Sequence, residues 1–331
     1  MRLLSELIDK KRKIILKEDS FILLFEDKRP EGFVGFTAKR CRINILALGD
    51  VGGTVLLGLR LLGGDVVESI GIYDINPAFQ RRYEREINQV NYPDGRKLPT
   101  VEIIDEDELF SCDVFVFCAS RGVPPVGAQG DVRMAQLEAN KELVSAYASK
   151  AVKKDFKGLF AVVSDPVDPL CKSAVRCGLD ETSVIGYGLG VMNGRARYFA
   201  EHDNRFGMYL KEGRAFGPHG EDLVIANSIS DYSEQLSYEL TEMTVNSNRV
   251  TRADGFKPYI APAMSSGALS LLATINGNWN YSSVFFGNRD RGAFMGCRNR
   301  MTDAGIQVEN MPLDDKLFTR IKKAYINLEK L

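Results

Sequence analysis

From Arg42 onward, short apolar runs alternate with amphipathic stretches. Ile43–Leu48, Ser69–Asp74, Thr100–Ile104, Val114–Cys118 and Leu159–Val163 read as strands, and Thr54–Leu62, Ala78–Val90 and Val132–Ser149 read as the helices between them. Strands that are apolar at consecutive positions are buried on both faces, so this alternation predicts a doubly wound α/β unit with a parallel sheet, over residues 41–166. Past Pro166 the texture changes. Helices are expected near Leu170–Cys177, Gly190–Glu201, Ser233–Val245, Ala263–Thr274 and Leu313–Leu328, among strand-like pieces at Val184–Tyr187, Leu223–Ile229 and Val284–Gly287. That mixture predicts an α+β domain over 167–331. Residues 1–40 stand apart as an N-terminal extension, in which Ser20–Phe25 and Gly32–Phe36 flank a charged turn and suggest a hairpin. A subunit contact and a cap over the domain are equally open roles for it.

Composition narrows the classes of function. A chain of 331 residues with 44% hydrophobic and 26% charged residues is long enough to bury a sizeable core. Its formal net charge of −1 offers no global field for nucleic acid or an anionic membrane surface, so neither is an expected partner. No apolar run is long enough to span a bilayer. The N-terminus mixes Lys10-Lys11-Arg12-Lys13 with acids and lacks an apolar signal core, which argues for a cytoplasmic protein. Cys41, Cys112, Cys118, Cys171, Cys177 and Cys297 are scattered without metal-ligand spacing and read as thiols in a reducing compartment, so no metal is expected.

Candidate chemistry enters with Gly49-Asp50-Val51-Gly52, a glycine-rich turn that follows a strand and opens a helix. Glycines there let a backbone approach a pyrophosphate, and the helix N-terminus supplies amide donors and the positive end of the dipole. The usual first glycine is Ala47. Asp74 ends the next strand, where a carboxylate accepts hydrogen bonds from ribose hydroxyls and repels a 2′-phosphate. The expected cofactor is therefore NAD rather than NADP, with Arg81 and Arg82 nearby in sequence as a counterweight.

Further motifs follow in order. Arg133 precedes Asn140 in Gly130-Asp131-Val132-Arg133-Met134-Ala135-Gln136-Leu137-Glu138-Ala139-Asn140; then come Ser164-Asp165-Pro166-Val167-Asp168, Val184-Ile185-Gly186, Met192-Asn193-Gly194-Arg195 and Gly217-Pro218-His219-Gly220. In this order, and with this interval between Arg195 and His219, the chain resembles the lactate/malate dehydrogenase superfamily from about Arg42 to its C-terminus. The resemblance implies a Rossmann-type first domain, an α+β substrate domain and NAD-dependent interconversion of a small 2-hydroxy acid and its 2-oxo acid. It also implies a homo-oligomer, dimer or tetramer. Arg195 would hold the substrate carboxylate in a bidentate fork. His219 would exchange a proton with the substrate oxygen. Arg133, on a loop that closes, would bind and polarise the carbonyl. Gly49, Asp50, Val51, Gly52, Asp74, Ala119 and Asn140 form the expected cofactor-facing set.

Three departures modify that expectation. The family's acid partner of the histidine falls on Met192, which cannot accept an N–H as a carboxylate does, while the family's asparagine after the strand is Asp165. Asp165 is expected to have taken over the carboxylate duty as a catalytic residue. The substrate loop from Ala119 to Gly130 is longer than usual, and its specificity position falls near Gly127, leaving Arg121 or Gln129 to reach the site. Lys257 aligns with a small pocket-lining residue. Facing the pocket, it would bind a second anionic group or pair with Asp165; otherwise it is an exposed lysine before a proline-initiated helix. Two other readings remain: a catalytically altered NAD-binding protein, motivated by Met192, and a dehydrogenase of a nitrogen-bearing substrate, motivated by Asp165. An NAD glycosidase is disfavoured because Cys171 and the two histidines form no ligand set.

Overall fold

The apolar runs of the first half do pair in parallel. In the computed structural model, which describes residues 1–8, 13–15, 21–24, 40–121, 132–287 and 291–331, the chain begins with β1 (Arg2–Leu3), β2 (Lys13–Ile15) and β3 (Phe21–Leu24). Then β4 (Cys41–Leu46), β5 (Val67–Tyr73), β6 (Thr100–Ile103), β7 (Val114–Phe117), β8 (Leu159–Val162) and β9 (Val184–Gly186) lie side by side in the order β6-β5-β4-β7-β8-β9. All their contacts are parallel. The connections run through α1 (Asp50–Leu62), α2 (Pro77–Asn88), α3 (Val132–Lys153) and α4 (Val167–Arg176). Strands β7 and β8 are buried at every position, as expected of strands covered on both faces. The order reverses between β4 and β7, and in such sheets the crevice beyond the strand ends at the reversal is where ligands bind.

The sixth parallel strand, β9, lies beyond the boundary expected at residue 166. Three buried residues leave too short a signal to assign to one sheet or another from sequence. The sheet does not stop there. After α5 (Leu189–His202), the short α6 (Tyr209–Glu212), the pair β10 (Arg214–Phe216) and β11 (Val224–Ala226), α7 (Glu234–Ala253), a π-helical segment (Pro262–Leu269) and α8 (Ser270–Ile275), the chain returns as β12 (Asn280–Gly287). Strand β12 pairs antiparallel with β9 through Ser283 and Gly186. It is followed by β13 (Gly292–Thr302), β14 (Gly305–Glu309), β15 (Pro312–Leu313) and α9 (Asp315–Lys330). One 11-stranded sheet thus runs through both halves, in the order β2-β3-β14-β13-β12-β9-β8-β7-β4-β5-β6.

The N-terminal residues that are described are built into this sheet. Phe21–Leu24 pairs antiparallel with Lys13–Ile15 on one side and with β14 on the other, while β1 pairs with β15. The strand expected near residue 21 is present; its expected hairpin partner, Gly32–Phe36, lies outside the described residues. Ile22 and Leu24 are buried in the main core, and the Ser5 amide donates to Asn310 Oδ1 at 2.9 Å. Those segments serve the fold of this chain directly. None of the six cysteines is in a disulfide. Burial pushes the Cys118 thiol up to about 12. Among the described residues no helix is long and apolar enough to cross a membrane, and no cluster of His, Cys, Asp and Glu could hold a metal ion.

Candidate functional site

The turn after β4 carries the first half of the site. Gly49 is the N-cap of α1 and makes no side-chain cap bond; the first intrahelical amide bond is Gly53 N–H to the Gly49 carbonyl at 2.9 Å. The leading amides of Asp50, Val51 and Gly52 are therefore the open donors of a helix start. A Cβ on Gly49 would meet nothing within 4 Å, so the space above the turn is open. A Cβ on Gly52 would lie 1.9 Å from the Ala47 carbonyl oxygen, so this position is glycine because helix and strand end approach too closely for anything larger. Ala47 itself has a φ of 73°, a left-handed conformation that explains why related turns place glycine there.

Asp74 stands beside this turn at the end of β5, 8% exposed. Its Oδ2 accepts the Leu48 amide at 2.7 Å and its Oδ1 accepts the Asn76 amide at 2.8 Å. Each carboxylate oxygen keeps a lone pair. Arg82, one of the two arginines that weigh toward NADP, is held by Glu86 at 3.0 Å. The open cradle, unused amides and acid at the second strand end fit a dinucleotide whose ribose is unphosphorylated.

Asn140, expected on the cofactor face, is fully buried instead. Its Nδ2 donates to the Asp165 carbonyl at 2.8 Å and to Ser120 Oγ at 3.3 Å, and its Oδ1 accepts the Arg121 amide at 3.0 Å. It ties the strand end after β7 to the strand end after β8, a structural duty created by the low tolerance for unpaired buried amides. Ala119 is nearly buried, and its carbonyl accepts Ser164 Oγ at 2.6 Å.

The second half of the site gathers on Asp165, which follows β8 with a cis peptide to Pro166. Its Oδ1 lies 3.0 Å from His219 Nδ1. His219 is held by a bridge between Gly217 and Gly296 of β13, with the Gly217 amide donating at 2.9 Å. A Cβ on Gly188 would come within 3.0 Å of His219 Cβ, so the imidazole is packed against the start of α5. Its Nε2 is buried and has no partner among the described residues. A buried ring nitrogen without a hydrogen bond is costly and points to a missing ligand.

Arg195, on the second turn of α5, is 8% exposed. One terminal nitrogen donates to Asn248 Oδ1 of α7, and the other lies 3.6 Å from Met192 Sδ. Among the described residues no carboxylate is within ion-pair distance of it. Burial lowers the guanidinium from its ordinary value, and the charge of Asp165 partly offsets this. A buried guanidinium without a carboxylate partner keeps bonding capacity for one.

Asp168, one turn into α4 beyond Asp165, is a further buried acid. It accepts a hydrogen bond from Ser283 Oγ of β12, and burial pushes its carboxyl up to about 7, with that hydrogen bond and the nearby His219 opposing the rise. Sequence reading passed over it, although an acid three positions after Asp165 in an apolar stretch was a visible anomaly. Asn248 gave no local sequence signal, because it reaches Arg195 from a different helix.

Two other candidates, Lys257 and Arg121, sit away from Asp165 and His219. Lys257 pairs with neither Asp165 nor a substrate pocket: its Nζ lies 3.0 Å from Asp50 Oδ2, at the cofactor turn. Arg121 turns outward to Glu142 at 3.1 Å. Gly127 and Gln129 lie outside the described residues. Arg133 falls in the first turn of α3, and its side chain is likewise outside the described set.

No family model matches the chain. It is 24% identical over 184 residues to a malate dehydrogenase of Sulfurisphaera tokodaii, covering 56% of this chain and 57% of that protein. It is 26% identical over 204 residues to an L-lactate dehydrogenase of Mycoplasma mobile, covering 61% of each. The chain therefore matches less than two thirds of the length of either relative. The structure of the malate dehydrogenase from Archaeoglobus fulgidus in complex with NADH superposes with a TM-score of 0.70 at 17% identity, covering 87% of this chain and 97% of that one. The chain is similar in sequence to lactate and malate dehydrogenases and shares their fold.

Proposed function

We propose that this chain interconverts a small 2-hydroxy acid and its 2-oxo acid with NAD as the cofactor. The observation that carries the reading is the His219–Asp165 pair with its orphaned Nε2, set near a buried Arg195 that lacks a carboxylate partner. A bound nicotinamide dinucleotide supplies the hydride donor or acceptor. The open turn at Gly49 and the acid at Asp74 support NAD, as does the relatedness to a malate dehydrogenase solved with NADH.

In the reductive direction, Arg195 holds the carboxylate of the oxo acid in a fixed plane, which leaves the adjacent carbonyl oxygen facing His219 Nε2. His219 donates a proton from Nε2 to that oxygen, and in the oxidative direction takes it back. Asp165 accepts the Nδ1–H, fixing the tautomer that places a proton or lone pair at Nε2, and stabilises the imidazolium. Met192 of α5 removes the usual acid; Asp165 supplies one from the end of β8. An acid at this position favours an active protein over a catalytically silent one. With its carboxylate engaged by His219, Asp165 is also a poor seat for a substrate ammonium group. Arg133, in the first turn of α3, is assigned the polarisation of the carbonyl from the sequence motif alone. The position of Lys257 removes the reason to expect a second carboxylate on the substrate.

The test is NADH consumption against a panel of 2-oxo monocarboxylates and dicarboxylates, with His219→Ala and Arg195→Met beside the wild type. Turnover of a monocarboxylate, lost in both variants, is the expected result. Tight NADH binding with no turnover of any oxo acid would refute the proposed reaction.

A further inference from the structure

The cofactor turn contains an acid that the dinucleotide reading must accommodate. Asp50 opens α1, where the helix dipole favours a carboxylate, yet the same place is the seat of a pyrophosphate, and like charges repel. Its partner Lys257 comes from the segment that leads into the π-helical turn, far along the chain, and meets it at 3.0 Å. The side chains of Lys257 and Asp50 are 80% and 49% exposed. An exposed pair of this kind contributes about 0–1 kcal/mol, so stability gives little reason for it. The pair stands beside the uncapped amides and the open space over Gly49. The ammonium has three donors, and the contact with Asp50 occupies one.

We propose that Lys257 is a phosphate-binding residue for the dinucleotide, tethered by Asp50 so that its remaining donors reach the pyrophosphate over Gly49. The carboxylate places the ammonium, and the ammonium cancels the charge that would otherwise repel the ligand. A residue expected to recognise substrate thereby becomes a determinant of cofactor affinity. The arrangement also couples the two halves of the site. The π-helical segment that follows Lys257 meets α5 through Ser266, whose Oγ accepts the Val191 amide at 2.8 Å and donates to the Gly188 carbonyl at 2.8 Å. Gly188 packs on His219, and α5 carries Arg195.

The inference rests on the dinucleotide reading, and its test separates the two. Binding of NADH and of ADP-ribose is measured by titration calorimetry for wild type, Lys257→Met, Asp50→Asn and the double variant, at ionic strengths of about 0.01 and 0.15 M. Thermal melting confirms that each variant is folded. Lys257→Met leaves the acid uncompensated and should weaken both ligands about tenfold, more at low salt. Asp50→Asn loses the tether along with the repulsion and should weaken both ligands about threefold, less than Lys257→Met does. The double variant should stay at least about threefold weaker than Asp50→Asn, because the lysine's contact with the phosphates is lost whether or not the acid is present. Unchanged affinity in Lys257→Met, or a double variant that binds as tightly as Asp50→Asn, would overturn the lysine's phosphate contact while leaving the dinucleotide reading intact. Wild-type protein that binds neither ligand would overturn both.

Discussion

Replacing Asp165 by asparagine removes one charge from the histidine while keeping its shape. The carboxylate oxygen and His219 Nδ1 are 3.0 Å apart, and the side chains are 53% and 11% exposed, so the pair is half in water and half in protein. Two unit charges at that distance attract by roughly 5 kcal/mol at an effective dielectric of about 20 and by about 1.4 kcal/mol in bulk water. With one partner half exposed, about 2 kcal/mol of imidazolium stabilisation is a reasonable figure, which corresponds to roughly 30-fold in rate. That is the loss from charge alone, with the amide oxygen still accepting Nδ1–H. If the amide presents its NH2 group instead, the tautomer is wrong and the loss approaches about 10⁴-fold. The assay is kcat/KM for oxo-acid reduction, with NADH affinity measured separately and expected to stay within about twofold. His219→Ala combined with Asp165→Asn should be no slower than His219→Ala, because the acid acts through the ring. Undiminished turnover in Asp165→Asn, or full additivity in the double variant, would refute the assignment.

Three more outcomes follow from the same geometry. Arg195→Lys keeps the charge but loses the planar fork, so KM for the oxo acid should rise about 100-fold in steady-state kinetics while NADH binding is unaffected. Gly52→Ala places a Cβ 1.9 Å from the Ala47 carbonyl, so the turn must open; the expected result is a loss of more than about 2 kcal/mol in urea unfolding together with weakened NADH binding. Asp168 has a folded-state value of about 7, above the unfolded carboxyl value of about 3.9, so the native state holds an extra proton between those limits. Its burial therefore costs stability increasingly as pH rises from about 4 to about 7, and fully above that. Asp168→Asn should flatten this part of the stability–pH curve and melt higher than wild type at about pH 8; a curve parallel to that of the wild type would contradict the buried-acid account.

The parallel half of the fold was legible because its strands are buried on both faces and its helices are amphipathic, so each element carries its own period. Strand β13 was not, since its first six positions are all buried and include Gly292, Gly296 and Cys297, which leaves neither alternation nor a strong β-former pattern. The role of the N-terminal strands depends on pairing with β14 and β15 near the other end of the chain, which no local pattern records. At the site, the spacing of Arg195 and His219 was readable. Sequence could offer Asp165 as a replacement for the acid missing at Met192, but only the fold places it against Nδ1. Lys257 shows the converse: its charge was noticed, and its partner, on the opposite half of the site, was not.

Hydride transfer is the central claim, and its most direct measurement is the fate of a label. The protein is incubated with NADH deuterated at C4 of the nicotinamide and the best oxo acid of the panel, and the product is examined by mass spectrometry. The account predicts one deuterium at C2 of the 2-hydroxy acid from wild-type protein and none from His219→Ala. Cofactor oxidation with an unlabelled product, using either C4 epimer of the label, would contradict it.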